Sequence, residues 1–168
     1  SGCKGDAGAF LTEVYYWLGV DYRRFFKMDL LSKLGWLTSE WLMAGFDPEE
    51  PKEDMGIVFF NSSSSLDTDR RFQETIRSRE ACFPSPAGFV YTLPNIVAGE
   101  VAIRHRIYGE TAFYVLPRPE VRPMKAILCD TLASAKLNRL LTGWLEACGD
   151  TLDARVMLCT NDDPENGE

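Results

Sequence analysis

The side chains that could do chemistry are few in this sequence and lie far apart. Its five cysteines form no CxxC pair: Cys3, Cys82, Cys129, Cys148 and Cys159. His105 is the only histidine. Because zinc sites are built from clustered cysteine and histidine ligands, the sequence predicts no metal site and no cofactor. Scattered, unpaired cysteines are typical of reduced and mostly buried thiols.

Two of these cysteines could still act as nucleophiles. A reactive thiol needs a lowered pKa and access to solvent. Cys129 falls one position past Leu128 on the inner face of a predicted helix, so we expect it to be buried or half-buried and structural. Cys82 stands in a predicted loop, where it would be accessible but has no visible acid–base partner. A thiol-dependent reaction at Cys129 or Cys82 therefore stays an alternative.

The remaining polar candidates suit structural roles. His105 stands between two arginines late on a predicted helix, and we expect it at a surface or an interface because no nucleophile is evident beside it. The stretch NSSSSLDTD at 61–69 lacks the glycines and the lysine of a phosphate-binding loop. Its carboxylates Asp67 and Asp69 stand at a predicted helix start, where they would cap the helix and offset its dipole rather than bind metal.

Composition narrows the class of protein. The chain has 168 residues, 45% of them hydrophobic, which is enough for one globular domain spanning 1–168. Its net charge of -7, without a basic stripe, argues against nucleic acid and anionic membranes as partners. No apolar run approaches the ~18 residues of a membrane span and no signal peptide is evident, so we expect a cytoplasmic protein. Residues 160–168 are interpreted as an acidic tail.

Apolar spacing and turn residues predict an α/β protein, a layered mixed sheet with helices on its faces. After a short helix at 8–18, Asp29 is predicted to cap a helix with Leu34, Leu37 and Trp41 on one face. Residues 55–61, MGIVFFN, predict a central parallel strand because they are apolar without alternation. The later predicted elements are a helix from Asp67 or Thr68 to Ser78, a helix after Asn95 ended by Gly109, a strand at 111–116, a helix from Pro119 and two strands around 139–159.

Two local predictions matter for the site. Residues 82–94, punctuated by prolines, are expected to be extended. In the helix after Asn95, the residues Ile96, Gly99, Ile103 and Ile107 are expected to share the inner face.

Four segments, in matching order over 27–159, resemble the N-terminal half of β-ketoacyl synthases, the thiolase-like condensing enzymes. They are KMDLLSKLGWLTSEWLMAG, GIVFFNSSSSLDTDRRFQETI, PSPAGFVYTLPNIVAGEVAIRHRIYG and LNRLLTGWLEA. The matched motif residues are Asp29, Pro94, Asn95, Gly109 and Gly143. The pattern looks closest to a short synthase-like subgroup found beside lipid or polyene synthesis proteins, and it implies a thiolase-like half-domain.

The chain departs from this family where the family does its chemistry. In active synthases the strand after the glycine turn delivers a nucleophilic cysteine, and partner histidines or an asparagine come from the C-terminal half. Here the position falls near Arg118, flanked by Pro117 and Pro119, and no counterpart of those partners is present. Because the acyl chain must be taken by a thiolate and its carbonyl polarised, we expect no condensation by this chain alone.

The resemblance implies a partner subunit. In condensing enzymes the strand matching TAFYVL pairs across a dimer, so we expect Ala98, Gly99, Ala102, Phe113 and Tyr114 at an interface with a second copy or a ketosynthase. Arginines near 70–79 and 104–106 could receive an acidic acyl carrier protein. The expected function is a catalytically inactive chain-length-type subunit in fatty-acid, polyketide or aryl-polyene synthesis. A thiol-dependent acyltransferase using Cys129 or Cys82, or a structural dimer without acyl chemistry, stays an alternative.

Overall fold

The structure is a computed structural model that describes residues 6–77 and 85–161. Its helices are α1 (Ala7–Leu18), α2 (Leu30–Leu42), α3 (Leu66–Ile76), α4 (Pro86–Val90), α5 (Ile96–His105) and α6 (Val121–Ser134), with a short 3-10 turn at Arg23–Lys27. Its strands are β1 (Met55–Asn61), β2 (Thr111–Val115), β3 (Arg139–Cys148) and β4 (Thr151–Thr160). The predicted α/β class is confirmed.

The strands form one mixed sheet in the order β2-β1-β3-β4. β1 runs parallel to both β2 and β3, and Phe59 on β1 lies opposite Phe113 and Gly143. Every residue of β1 is buried, which confirms the predicted central parallel strand. β2 and β4 are the two outer strands of the described sheet.

Strands β3 and β4 form a tight antiparallel hairpin. Cys148 pairs with Thr151, so only Gly149 and Asp150 connect the strands, and the turn is shorter than the CGDTLD segment that the sequence suggests. Gly149 has a φ of 58°, which glycine adopts without steric cost. Gly143 lies opposite Val156 on β4, and a Cβ on Gly143 would lie 2.2 Å from the carbonyl oxygen of Arg155. Glycine at 143 therefore allows the two strands to approach.

Helices cover both faces of the sheet. On one face, α1, α2 and α5 build the larger cluster, which includes the fully buried Phe25 and Trp36. On the other, α6 packs against Val58, Phe60 and Trp144. Alternate residues of β1 thus point to different helices, as expected for a strand buried on both sides.

Helix α2 crosses the larger core and is buried on several sides, as predicted. The Asp29 carboxylate caps it by accepting from the Ser32 amide at 2.9 Å, which also confirms the prediction. Its last turn differs, because Trp41 is 71% exposed rather than on the inner face. Met43 at the end of the helix stays in the core, whereas Trp41 faces outward and lines three surface concavities.

Two predictions for the chain before α5 are wrong. The segment expected to be extended contains α4, because the Ser85 hydroxyl accepts from the Gly88 amide at 3.2 Å and Pro86 fits the first helical turn. Helix α3 begins after Ser65 rather than after Asp67 or Thr68. The Thr68 hydroxyl instead donates to Asp29 at 2.7 Å and joins α3 to the start of α2.

Helix α5 packs with a different face from the predicted one. It buries Val97, Ala98 and Val101, whereas Ile103 is 58% exposed. The helix ends at His105 because Arg106 adopts a left-handed conformation, with a φ of 51°. It starts after Asn95 as predicted, but the Asn95 side chain makes no capping hydrogen bond.

Gly109 lies beyond this helix and has another role than ending it. A Cβ at Gly109 would lie 2.3 Å from the carbonyl oxygen of Met55, so glycine allows the segment before β2 to run against β1. Among residues 6–77 and 85–161, no helix is both long and apolar enough to cross a membrane.

Candidate functional site

The candidate site is the edge of the sheet at which the three parallel strands end. β1 ends at Asn61 and β2 at Val115, and the Leu116 amide donates to the Asn61 carbonyl at 2.8 Å. In β3, Glu146 lies two residues beyond Trp144, the partner of Phe60. Ligand and catalytic groups of α/β proteins collect at this kind of edge, because the loops after parallel strands meet there.

Arg118 occupies the position that the family resemblance assigns to the nucleophile. Its side chain is 76% exposed, and its guanidinium Nε is paired with Glu120 Oε1 at 2.5 Å. The chain from Leu116 to Glu120 is irregular and α6 begins only at Val121. A solvated guanidinium cannot attack a thioester, and no helix starts at once after it.

Glu146 is tied to the loop after β1 by serine side chains. Its Oε2 accepts from the Ser62 amide at 2.9 Å and the Ser62 hydroxyl at 2.6 Å, and its Oε1 accepts from the Ser63 hydroxyl. Partial burial favours the neutral acid, but these hydrogen bonds outweigh it and hold the pKa of Glu146 below its ordinary value. Glu146 is therefore an anion that fastens the ends of β1 and β3.

Sequence reasoning did not single out this cluster. The signal was present, because a serine run follows β1 and Glu146 lies near the end of β3, and the ends of neighbouring parallel strands lie side by side. The Asn61 side chain closes the same loop, accepting from the Ser64 amide at 2.9 Å and donating to the Ser64 carbonyl at 2.8 Å.

The described cysteines do not replace the nucleophile. Cys129 is exposed, so the prediction that it is buried or half-buried is wrong: α6 turns its 129 position outward. It lies about 12 Å along α6 from Val121, at 1.5 Å per residue. Cys159 is half-buried on β4, where burial and the neighbouring Cys129 raise its pKa, and Cys148 is half-buried at the end of β3. Cys3 and Cys82 lie outside the described residues.

A second surface of interest is the α5–β2 face, defined here by Gly99, Ala102, Ile103, Phe113 and Tyr114. α5 contacts β2, and Ala102 and Phe113 pack against the same core cluster. A Cβ at Gly99 would meet no atom within 4 Å, so this side of α5 is open. Of the five predicted interface residues, Ala98 is 1% exposed and belongs to the core of the chain itself, so it offers no surface to a partner. For the other four, an interface stays a prediction.

Two buried carboxylates on the inner side of α5 and α2 were also missed. Glu100 lies 2.9 Å from Arg24 and accepts from the Tyr91 hydroxyl at 3.0 Å; burial and that carboxylate raise the pKa of Tyr91 to about 12. Glu40 accepts from Arg104 Nε and Nη2 at 2.6 and 3.0 Å.

His105 was predicted at a surface or an interface; it lies beside this second pair and is buried within the chain. Its Nε2 is 3.3 Å from Glu40 Oε1. Desolvation lowers the pKa of His105 to about 4 despite the nearby Glu40 carboxylate, and Arg104 and Lys52 act in the same direction as burial. A neutral imidazole packed at the end of α5 serves no nucleophile in the described structure.

Comparison with known proteins gives a structural likeness alone. No family model matches the chain, and no curated protein matches it. Among solved structures, the ishigamide ketosynthase/chain length factor is similar with a TM-score of 0.61 and 21% sequence identity, over 77% of this chain and 37% of that one. A ketosynthase (ApeO) in complex with its chain length factor (ApeC) from Xenorhabdus doucetiae is similar with a TM-score of 0.56 and 13% identity, over 76% of this chain and 50% of that one.

The chain thus spans half or less of the length of these two proteins. At such identities the likeness concerns the arrangement of the backbone, which is the mixed sheet with helices on both faces described above. The predicted thiolase-like architecture is therefore confirmed at the level of the fold: this chain has the α/β fold of ketosynthase/chain length factor proteins.

Proposed function

We propose that this chain is a non-condensing, ketosynthase-like subunit that pairs with a ketosynthase, in the manner of a chain length factor. The observation that carries the proposal is Arg118, an exposed guanidinium paired with Glu120 at the carboxyl end of β2, where the resemblance calls for a cysteine. Both similar solved structures contain a ketosynthase and a chain length factor. The pathways in which such a subunit would act are fatty-acid, polyketide or aryl-polyene synthesis.

The chemistry at this edge supports a silent role. Condensation needs a thiolate that takes the acyl chain and donors that polarise its carbonyl. In the described structure the end of β2 supplies an ion pair, and the end of β3 supplies Glu146, an anion whose hydrogen-bonding capacity is directed to Ser62 and Ser63. These groups hold loops together, and none of them is the thiolate that condensation requires.

The exposed apolar groups of the α5–β2 face support pairing with another protein chain. β2 is an outer strand whose unpaired backbone edge would invite uncontrolled association unless another chain covers it. Tyr114 and Val115 on this strand are 36% and 51% exposed, and Ile103 on the neighbouring helix is 58% exposed. An apolar helix face beside an open strand edge is suited to a stable protein interface.

Matched substitutions on the α5–β2 face and in the loop after α2 test the pairing with a ketosynthase. Gly99→Arg places a long cation on the open side of α5, and Gly45→Arg places the same group at another position where a Cβ meets no atom within 4 Å. We expect the tagged wild type and Gly45→Arg to recover a ketosynthase from the cells that make this chain, and Gly99→Arg to recover at least about tenfold less. Equal recovery by both variants would remove the α5–β2 face from the proposal.

A thiol-dependent acyltransferase is the second candidate, and the exposure of Cys129 is the observation that favours it. Intact-mass measurement after incubation with an acyl-loaded carrier protein distinguishes the two functions. We expect no acyl adduct and slow labelling by iodoacetamide near neutral pH. An adduct that Cys129→Ser abolishes would establish the acyltransferase, and an adduct that survives it would point to Cys82.

Binding of an acyl carrier protein stays a proposal, with less support than pairing with a ketosynthase. Several arginines that could contact a carrier protein already form ion pairs with carboxylates of the same chain. These pairs are Arg71 with Asp67, Arg77 with Glu74, and Arg106 with Glu49. A chain that recovers neither ketosynthase nor carrier protein would instead fit the third alternative, a structural dimer without acyl chemistry.

A further inference from the structure

A small cavity lies between the ends of α2 and α5, on the face of the molecule formed by helices. Its volume is about 270 Å³. The walls are apolar and come from α1, α2 and the loop after α2: Leu18, Val20, Trp41, Met43, Ala44 and Phe46. For comparison, a cavity of about 150 Å³ lined by aliphatic and aromatic groups holds a benzene molecule. The space therefore suits one bicyclic ring or a branched chain of similar size.

The floor of the cavity is polar and belongs to Glu40, Arg104 and His105. Arg104 holds both oxygens of Glu40, and its guanidinium carbon lies 5.5 Å from the Tyr22 ring centre and 5.9 Å from that of Trp36. Nε2 of His105, whose side chain is 4% exposed, lies 3.3 Å from Glu40 Oε1 without the alignment of a hydrogen bond and has no other partner.

Hydrogen bonds of the chain itself hold the polar floor of the cavity in place. Lys52, itself 2% exposed, donates from Nζ to the carbonyl oxygens of Asp47, Glu50 and His105 at 2.7, 2.8 and 3.1 Å. These three bonds fix the loop after α2 to the end of α5, on the two sides of the cavity. Its shape is therefore set by the fold before any ligand enters.

The charges of the floor select the kind of molecule that fits. Glu40 and Arg104 neutralise each other, so neither an anion nor a cation gains by entering beside them. A carboxylate offers about four acceptor positions, of which Arg104 uses two, so acceptor positions remain on Glu40. The floor thus has acceptor capacity left over and favours a ligand that brings a donor.

We propose that this cavity is a binding site for a small uncharged molecule with an apolar body and one hydrogen-bond donor directed at Glu40. The aromatic and aliphatic walls take up the body, and the donor meets the polar floor. The site lies between α2 and α5, away from Arg118 and from the strand ends. Arg104 and His105 directly follow Ile103 of the α5–β2 face on α5, and ligand binding here is a further function that the pairing proposed above does not include.

Indole is the probe, because it has a bicyclic apolar body and one N–H donor. His105 is the only histidine of the chain, so its imidazole resonances report on the floor without assignment ambiguity. We expect indole to shift them saturably, with a dissociation constant on the order of 1 mM or tighter. We expect 1-methylindole, which lacks the donor, to bind about tenfold more weakly or worse.

Two variants of the full chain give the matched control. Ala44 is exposed at the wall of the cavity, so Ala44→Phe fills it without disturbing the core, whereas Ala126→Phe adds the same ring at an exposed position of α6. We expect Ala44→Phe to weaken indole binding at least about tenfold and Ala126→Phe to leave it unchanged. Absence of a saturable His105 shift with the wild type, or equal binding by the two variants, would overturn the site. Equally tight binding of 1-methylindole would overturn the role of the donor.

Discussion

At the scale of single residues, His105 shows how burial sets the behaviour of a titratable group. A histidine between Arg104 and Arg106 suggests a surface position, because its neighbours in sequence are charged. The structure turns it inward, beside Glu40, where it is 3% exposed. No local pattern carries this information, since the burial depends on α2 and on the loop held by Lys52.

This burial predicts a dependence of stability on pH. The pKa of His105 is about 4 in the folded chain and near 6.5 when unfolded, so the unfolded state binds the proton more readily. His105 therefore contributes up to about 3 kcal/mol to the free energy of unfolding above about pH 6.5, and this contribution is lost as the pH falls toward 4. Urea unfolding of the wild type and His105→Gln at several pH values checks this. We expect the variant to lose less stability across this window; the same loss in both would contradict the assignment.

Two glycines that differ in the space available for a side chain give a second prediction. At Gly143, an alanine Cβ would lie 2.2 Å from a backbone oxygen of β4, whereas at Gly99 it would meet nothing within 4 Å. We expect Gly143→Ala to destabilise the fold by about 1–3 kcal/mol or more, because backbone must move. Gly99→Ala should stabilise it by about 0.5–1 kcal/mol, because alanine is the better helix former. Thermal unfolding measures both, and the opposite order would show that the hairpin or α5 is wrongly placed.

At the scale of elements, the sequence predicts positions better than orientations. The central strand, the edge strand β2 and the capped helix α2 follow from apolar runs and from Asp29. The inner face of α5 does not, because this helix has two apolar stripes and spacing alone cannot tell which one packs. Ile96, Gly99 and Ile103 form the outward stripe, while Val97, Ala98 and Val101 meet the core.

Capping supplies the test at this scale. Asp29 accepts from the Ser32 amide and from the Thr68 hydroxyl, so it joins the start of α2 to α3. We expect Asp29→Ala to cost about 1–2 kcal/mol in urea unfolding. Asn95→Ala is the matched control, because Asn95 occupies the equivalent position of α5 without a capping bond and should cost well under about 1 kcal/mol. Equal losses of unfolding free energy in the two variants would show that the side chain of Asp29 does not stabilise the start of α2 and its contact with α3.

At the scale of the molecule, the fold was predictable while the site was only partly so. The order of motifs indicated the thiolase-like arrangement, and the sequence itself has Arg118 where the resemblance calls for a cysteine. The ties of Glu146 to the serine loop and the pairing of Glu40 with Arg104 were not, because each joins residues far apart in the chain. Such contacts depend on strand order and helix orientation, which follow only from the assembled structure.

Pairing with a ketosynthase, as its non-condensing partner, is the function proposed above for this chain. The most direct measurement is the native mass of the complex that the tagged chain forms in the cells that make it, with its components identified and their ratio determined. We expect one copy of this chain for each ketosynthase chain. Recovery of the chain only as a homodimer, with no ketosynthase bound, would contradict it.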